Sequence, residues 1–509
     1  MDIEFNEKFK QALEAIENGT ENLFITGKAG TGKSTMLRHF IATTKKKAVV
    51  LAPTGVAALN AGGQTIHSFF GFKPGVTPDS IKRLKSKELY SKLDMIVVDE
   101  ISMVRADLMD SVETFLRYNG PKPGEPFGGV RMVFFGDMMQ LPPVVKKDEQ
   151  EIFSSLYKSP YFFDAACFSE NKPETIELEK VYRQKEGKFL TILNAIRNNV
   201  ITPEQLTLLN QRMRHEHVPA DGEVVLCTIN KTADAINSAK LEDLPGTSLG
   251  FHADVSGSFD LKNTPTDVDL ALKKGAQVMF VANDVQGRWV NGTLGKIINI
   301  NTSGLRPKIS VSLESGEVVD VGRTTWDMIK YDWNKKNNKI ETETVGSFVQ
   351  IPLQLAWAVT IHKAQGKTFD KVTIELGSRT FAHGQLYVAL SRCTSLEGLT
   401  LLRPVKASDI IVDTKILKYL VYEKTRKLAT ISPEDLELEI RKAIRSNRKV
   451  KIGYVNLKGE PSERIIAPTK LGMINFKGSQ FLGITGFDSK REEVRTFRFD
   501  RITSCELAD

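Results

Sequence analysis

The stretch "GKAGTGKST", Gly27 to Thr35, decides the first question about this chain. It satisfies G-x-x-x-x-G-K-[ST] without a mismatch, the signature of a loop that cradles phosphates. An apolar run, "NLFITG" from Asn22, precedes it, and "TMLRHFIATT" follows with helical spacing. Strand, glycine-rich turn and helix is the order such a loop requires. Gly27, Gly30, Thr31, Gly32, Lys33, Ser34 and Thr35 are therefore the candidate nucleotide-binding residues. Glycine lets the backbone approach the phosphates, where N–H groups and the helix N-terminus meet negative charge. Lys33 is placed to reach the β and γ oxygens, and Ser34 to ligate Mg²⁺.

A partner site lies in "LDMIVVDEISMV", Leu93 to Val104. Met95 to Val98 read as a buried parallel strand, an apolar run bounded by charge. Asp99 and Glu100 then fall at its C-terminal end, where α/β sheets hold ligands. Asp99 is the candidate metal carboxylate and Glu100 the candidate base for the attacking water. "GDMMQLPPV" follows another strand directly, which puts Asp137 and Gln140 at the same sheet edge. A glutamine there can bond the γ-phosphate and lose that bond on hydrolysis. Taken alone, these features leave several machines open: a P-loop kinase or transferase, an ATP-gated clamp on nucleic acid, or a motor.

The chain has 509 residues, 41% of them apolar and 26% charged, an ordinary globular composition with room for three or four domains. A net charge of +8 favours a polyanionic partner over a basic one. Cys167, Cys227, Cys393 and Cys505 are scattered, with no C-x-x-C pair. Neither a zinc site nor a disulfide framework is implied, and a reducing, cytoplasmic compartment is expected. No apolar run is long enough to span a membrane, and the acidic, amphipathic start "MDIEFNEKFKQALEAIENG" lacks the look of a targeting peptide.

Strands and helices alternate from Asn22 to about Cys167, and a second α/β stretch is expected from Glu174. Between about Gly250 and Gln350, segments such as "KISVSLESGEVVDVG" and "ETETVGSFVQI" alternate at period two between glycine turns, the pattern of a small β module. "LAWAVTIHKAQG" and "KVTIEL" then return to α/β character. The expected layout is a first domain over 1–173, with a small insertion near 64–77. A second follows over 174–250 and 350–425, interrupted by a β module over 251–349, and a separate domain closes the chain at 432–509.

"GKAGTGKST", "APTGVAA", "GGQTIHSFFG", "VVDEISMV", "PFGG" before "GDMMQLPPV", "VYRQ", "TIHKAQGKTF" and "YVALSR" occur in this order. The ordered set resembles the Pif-type (petite integration frequency) 5′-to-3′ DNA helicases of superfamily one, class B, over about residues 1–420. The resemblance implies two RecA-like P-loop NTPase domains, an inserted β-barrel of Src-homology-3 type, ATP and Mg²⁺ as cofactors, and translocation on single-stranded DNA. It further implies unwinding of tailed or forked duplexes by a monomer in a bacterial cytoplasm, on the nucleoid. The work implied is DNA replication, repair, recombination or telomere and G-quadruplex maintenance. Gln140 matches the family's γ-phosphate sensor, Arg183 and Arg392 its two arginine fingers, and Gly366 a position near the phosphates. Both arginines are expected on the second α/β domain. Pro53 and Thr54 fall on a turn after a strand, where a hydroxyl and N–H groups can hold a phosphate, and Thr65, His67, Phe69 and Phe72 combine hydrogen-bonders with aromatic stacking faces, while Thr360, His362 and Lys363 match family positions that meet DNA. One departure stands out. Where the family carries an adenine-reading glutamine, this chain has Phe9, with Gln11 two residues on, so no adenine reader is assigned.

From Ser432 the sequence changes again. "SPEDLELEIRKAIRSNR" has a serine N-cap, proline at the first helical position and acids in the first turn. "VKIGYVNLKGEPSERIIAP" and "FLGITGFDSKREEVRTFRFDRI" read as short strands and resemble the WYL domain, with "QFL" at Gln480 to Leu482 in place of the namesake residues. Arg464, Arg495, Arg498 and Arg501 are candidates for phosphate contact. At strand period two, Arg495 and Arg501 share a face and Arg498 takes the other.

Overall fold

The computed structural model describes residues 6–169, 171–184, 187–261, 264–302, 307–456, 460–476 and 479–508. The chain divides into two compact units, Met1–Leu190 with Asn210–Val405, and Thr191–Leu209 with Lys406–Asp509.

In the first unit a helix α1 (Glu7–Asn18), capped by Asn6, leads into β1 (Leu23–Gly27) and α2 (Lys33–Thr43). The strands β2 (Ala48–Ala52), β3 (Gln64–Thr65), β4 (Met95–Val98), β5 (Arg131–Gly136) and β6 (Glu174–Leu178) complete a parallel sheet of order β3-β2-β4-β5-β1-β6. β1, β4 and β5 are buried throughout, which is why Leu23–Ile25, Met95–Val98 and Met132–Phe135 read as apolar runs. Phe9, Ile16, Met36, Phe40, Val97 and Phe135 close the core between sheet and helices. One strand departs from the expected layout. Glu174–Leu178, read from sequence as the start of the second domain, lies beside β1 as the sixth strand of the first sheet.

A second parallel sheet has the order Ala358–Thr360, Val224–Cys227, Val372–Glu375, Leu399–Leu401. Between its first two strands in sequence the chain makes an antiparallel module. One sheet of it has five strands, with Leu270, Val278, Phe280, Ile297 and Val311 in its core. A long hairpin, Thr324–Asn334 with Lys339–Gln350, pairs with Asp254–Gly257. The hairpin leans on the first sheet: the Tyr331 hydroxyl accepts from Val50 N (3.2 Å), and Lys47 lies 4.9 Å over the Trp333 ring.

The second unit is a five-stranded antiparallel sheet with the helix Pro433–Ser446 against it, and it also takes in Thr191–Leu209 and the helix Thr414–Leu428, stretches expected from sequence in the second α/β domain. The helix starts as its sequence predicts: Ser432 Oγ accepts from Asp435 N (3.1 Å), with Pro433 at the first position. Leu436, Ile440, Val450, Ile484, Phe497 and Phe499 form the core. The arginine candidates are largely engaged within this unit. Arg464 pairs with the fully buried Asp488, and Arg498 pairs with Asp500 while lying over the Phe481 ring. Arg501 falls in the turn Phe499–Arg501, outside the strand, so the expected alternation with Arg495 ends before it. Gln480 accepts from Asn199 Nδ2 (2.9 Å).

Candidate active site

The phosphate loop runs from the end of β1 to the start of α2. Gly30 (φ +80°) and Gly32 (φ +89°) hold left-handed conformations that glycine adopts without a Cβ penalty. Gly30 also has no room for a side chain, since a Cβ there would lie 2.6 Å from Arg183 Cβ. Lys33, the first residue of α2, folds over the loop and donates to Gly27 O (2.6 Å) and Lys28 O (3.1 Å). Thr31 is buried and donates to Lys28 O (2.9 Å). Ser34 and Thr35 follow on the first turn, with Ser34 exposed. Phe9 packs in the core, with its ring 3.7 Å from where a Gly32 Cβ would lie, and Gln11 is exposed.

Asp99 and Glu100 leave the end of β4 half-buried, and Asp99 Oδ1 accepts from Glu100 N (2.9 Å). Glu100 has φ +50°, a left-handed conformation that a non-glycine residue rarely adopts and that clusters at functional sites. Burial, then the neighbouring Asp99 charge, pushes the Glu100 carboxyl up to about 7, against the pull of Lys33 and Arg392. Burial also raises Asp99, opposed by its bond from Glu100 N and by Lys33. Gln140 is buried on the loop after β5, where its side chain donates to Asp137 Oδ2 (3.4 Å).

The other wall comes from the second sheet. Gln365 Nε2 donates to both Glu100 Oε2 and Gln140 Oε1, each at 3.1 Å. The turn at Gly384 presses on the Gln140 loop, since a Cβ at Gly384 would meet Met139 O at 2.4 Å and Gln140 O at 2.6 Å. Buried His383 bonds Met138 O (3.0 Å). Arg183 was expected on the second domain. It follows β6 of the first sheet, where Tyr182 N donates to Gly30 O (2.9 Å), and reaches second-domain carbonyls at Ser391 (3.1 Å) and Gly366 (3.2 Å). Arg392 is fully buried and donates to Val388 O (2.9 Å) and Ser391 Oγ (2.8 Å). Burial lowers Arg183 to about 10, and burial with the Arg183 charge lowers Arg392 to about 9. Two guanidiniums near one another, bonded to carbonyl and hydroxyl oxygens, make a site whose charge an anion would balance.

The strand candidates divide. Thr54 caps α3 (Gly55–Ala61) next to Pro53, accepting from Ala57 N (3.2 Å), and Thr65 caps the short helix Ile66–Phe70, accepting from Ser68 N (3.2 Å). His67 is half-buried, and burial lowers its pKa against the pull of Asp107. Thr360 is buried at a strand end, with His362, Lys363 and Gly366 exposed on the turn after it. Phe69 does not present the expected stacking face. It is buried edge-on against Phe70, Tyr90 and Tyr331, because this small insertion has few other side chains from which to build a core. Phe72 keeps partial exposure, stacked on Phe70 at 5.2 Å. Sequence reading missed Gln365, His383, Gly384 and Tyr387, although "HKAQG" and "YVALSR" were in view.

Two parallel sheets, a phosphate loop on one and guanidiniums at the junction with the other, make the tandem RecA-like architecture that the sequence resemblance implies. The chain belongs to the PIF1-like helicase family, whose model matches residues 2–205. A viral superfamily 1 RNA helicase core model matches residues 300–397, and a WYL domain model residues 436–507. Human ATP-dependent DNA helicase PIF1 is 34% identical over 453 residues, 85% of this chain. The chain spans only 66% of that relative's length. ATP-dependent DNA helicase Pif1 of Bdellovibrio bacteriovorus is 33% identical over 82% of this chain and 92% of that protein. Pif1 from Bacteroides sp. in complex with ADP-AlF4 superposes with a TM-score of 0.76, at 37% identity over 82% of this chain and 97% of that one. The same relative bound to single-stranded DNA superposes with a TM-score of 0.61. Among the described residues no helix is long and apolar enough to cross a membrane.

Proposed function

We propose that this chain is an ATP-dependent DNA helicase that moves 5′ to 3′ on single strands as a monomer and opens tailed or forked duplexes. The observation that carries the reading is that Arg183 packs on Gly30 of the phosphate loop while bonding Ser391 O and Gly366 O of the second domain, and that Arg392 of that domain lies within electrostatic reach of Glu100. Closing that junction on a nucleotide and opening it after hydrolysis converts phosphoryl chemistry into relative motion of Thr54 and Thr360, one at a strand end of each sheet.

In this reading Gly27, Gly30, Thr31, Gly32, Lys33, Ser34 and Thr35 hold ATP, with Gly366 beside the phosphates. Glu100 takes the proton of the attacking water and Gln140 senses the γ-phosphate. Arg183 and Arg392 stabilise the charge of the transferring phosphoryl group. Ser34 and Asp99 offer hard oxygen donors that would hold Mg²⁺, and the ion would supply charge neutralisation there. Pro53, Thr54, Thr65, His67, Phe72, Thr360, His362 and Lys363 form the strand path. Support for the DNA partner comes from the relative crystallised with single-stranded DNA and from the net charge of +8. Four free thiols suit the reducing interior of a bacterial cell.

The test is unwinding of matched 5′- and 3′-tailed duplexes with ATP and Mg²⁺, with Lys33→Ala as the inactive control. Opening of the 5′-tailed substrate alone is expected. DNA-stimulated ATP turnover without strand separation would instead assign an ATP-gated clamp.

A further inference from the structure

Gln365 sits where two functions meet. Its backbone belongs to the turn after Thr360: Ala364 N donates to Thr360 O (2.9 Å), Gln365 N to His362 O (3.1 Å) and Lys363 N to Thr360 Oγ1 (3.4 Å). The exposed His362 and Lys363 of that turn are the strand-facing candidates. Its side chain leaves the second sheet and ends on the first, with one amide nitrogen serving Glu100 Oε2 and Gln140 Oε1. A primary amide nitrogen has two N–H groups, and here both have acceptors.

We propose that Gln365 is the positioning residue that holds Glu100 and Gln140 in a resting arrangement until a DNA strand on the Thr360–Gly366 turn draws it away. The chemistry follows from what the bond occupies. An N–H on Glu100 Oε2 engages one of the two oxygens that could take a proton from water and fixes the carboxylate's orientation. The same nitrogen holds the carbonyl of Gln140, whose own amide bonds Asp137 Oδ2 at a longer 3.4 Å, so that release of Gln365 leaves the weaker of the two restraints against reorientation toward a γ-phosphate. Because Gln365 N is bonded to His362 O, a shift of His362 or Lys363 toward a phosphate backbone carries Gln365 with it. The inference deepens the helicase reading and rests on it. Gln365 touches the two catalytic candidates rather than the reacting atoms, so its effect is on coupling.

The experiment compares wild type, Gln365→Ala and Gln365→Met, using ATP turnover with and without saturating oligo-dT. Gln365→Met keeps the length of the side chain and loses the donor without adding charge beside Glu100. Both variants are expected to raise DNA-free turnover about tenfold or more, the scale of one hydrogen bond to a charged group. Stimulated turnover and the ATP KM should stay within about threefold, so the stimulation ratio collapses. A second readout needs no turnover: oligo-dT affinity with and without a non-hydrolysable ATP analogue. Wild type should show a nucleotide-dependent change in affinity, and the variants should lose it, since coupling between two sites is reciprocal. A wild-type ratio in both variants overturns the proposal. So does loss of stimulated turnover with DNA-free turnover unchanged, which would make Gln365 part of the hydrolytic or strand contact itself. A wild type that DNA does not stimulate overturns the helicase reading, and the inference with it.

Discussion

The phenol oxygen of Tyr387, on the helix Gln385–Leu390 of the second sheet's domain, accepts a 3.1 Å hydrogen bond from Ala29 N in the phosphate loop. The pair is buried, and it fixes the loop backbone from the domain that does not carry it. A buried amide left without its acceptor is costly, while the bond itself contributes modestly. Tyr387→Phe is therefore expected to keep the fold and change ADP affinity by about twofold to tenfold, the scale of one neutral hydrogen bond. Titration with a fluorescent ADP reads the change, and an unaltered affinity would mean that the loop holds its shape alone.

Glu100 supplies a prediction in pH. Its folded-state pKa, raised to about 7, lies above the ordinary carboxylate value of 4.5, so the folded protein binds a proton that the unfolded chain releases between those values. Stability from this group thus falls as pH rises from about 4.5 through 7, and the cost is complete above 7. In nucleotide-free and metal-free protein, Glu100→Gln should melt higher than wild type at pH 8, and the gap should close toward pH 5. For domains of this size each kcal/mol moves Tm by roughly 2–4 °C. The same variant should bind ATP and hydrolyse it slowly, with loss of binding pointing to a structural role instead.

The two arginines should separate. Arg183 and Arg392 to Ala are each expected to cut DNA-stimulated hydrolysis by as much as roughly 10³-fold while leaving ATP binding largely intact. Only Arg392→Ala should also lower Tm clearly, because that side chain is 1% exposed and removing it strands the buried carbonyls and hydroxyl it serves. Differential scanning fluorimetry beside a turnover assay distinguishes the pair. Equal melting temperatures would mean that the Arg392 side chain is not held in the buried bonds to Val388 O and Ser391 Oγ.

Phe69 and Phe72 should also part company. Phe69→Ala empties a ring cluster and should cost roughly 3–5 kcal/mol of stability, seen in urea unfolding. Phe72→Ala should leave unfolding nearly unchanged and weaken oligo-dT binding by about 1–3 kcal/mol, the value of one stacked base. Unchanged DNA affinity would remove Phe72 from the strand path.

The catalytic strand ends were legible in the sequence because their signals are local. Met95–Val98 is apolar because it is buried on both faces, and the chain must become polar at Asp99, where the sheet ends. Gly30 and Gly32 announce left-handed backbone, and Ser432 with Pro433 announces a helix start, each within a few residues. Glu174–Leu178 reads ambiguously because an edge strand, with only Thr175 and Leu178 of its five residues buried, carries no mark of the sheet it joins. The same limit hid Gln365 and Tyr387. Their partners lie 265, 225 and 358 positions away in sequence, and only the packing of one sheet's edge against another brings them together. Phe69 completes the contrast: an aromatic in a loop motif reads alike whether it faces a base or a core. The sequence by itself determined that this chain carries a phosphate-loop motif and an acidic pair at the end of β4, since strand, turn and cap chemistry act over a few residues. Only the tertiary structure decided which side chain from the second sheet holds the Glu100 carboxylate, because such a contact is set by how two domains meet and not by any neighbour along the chain.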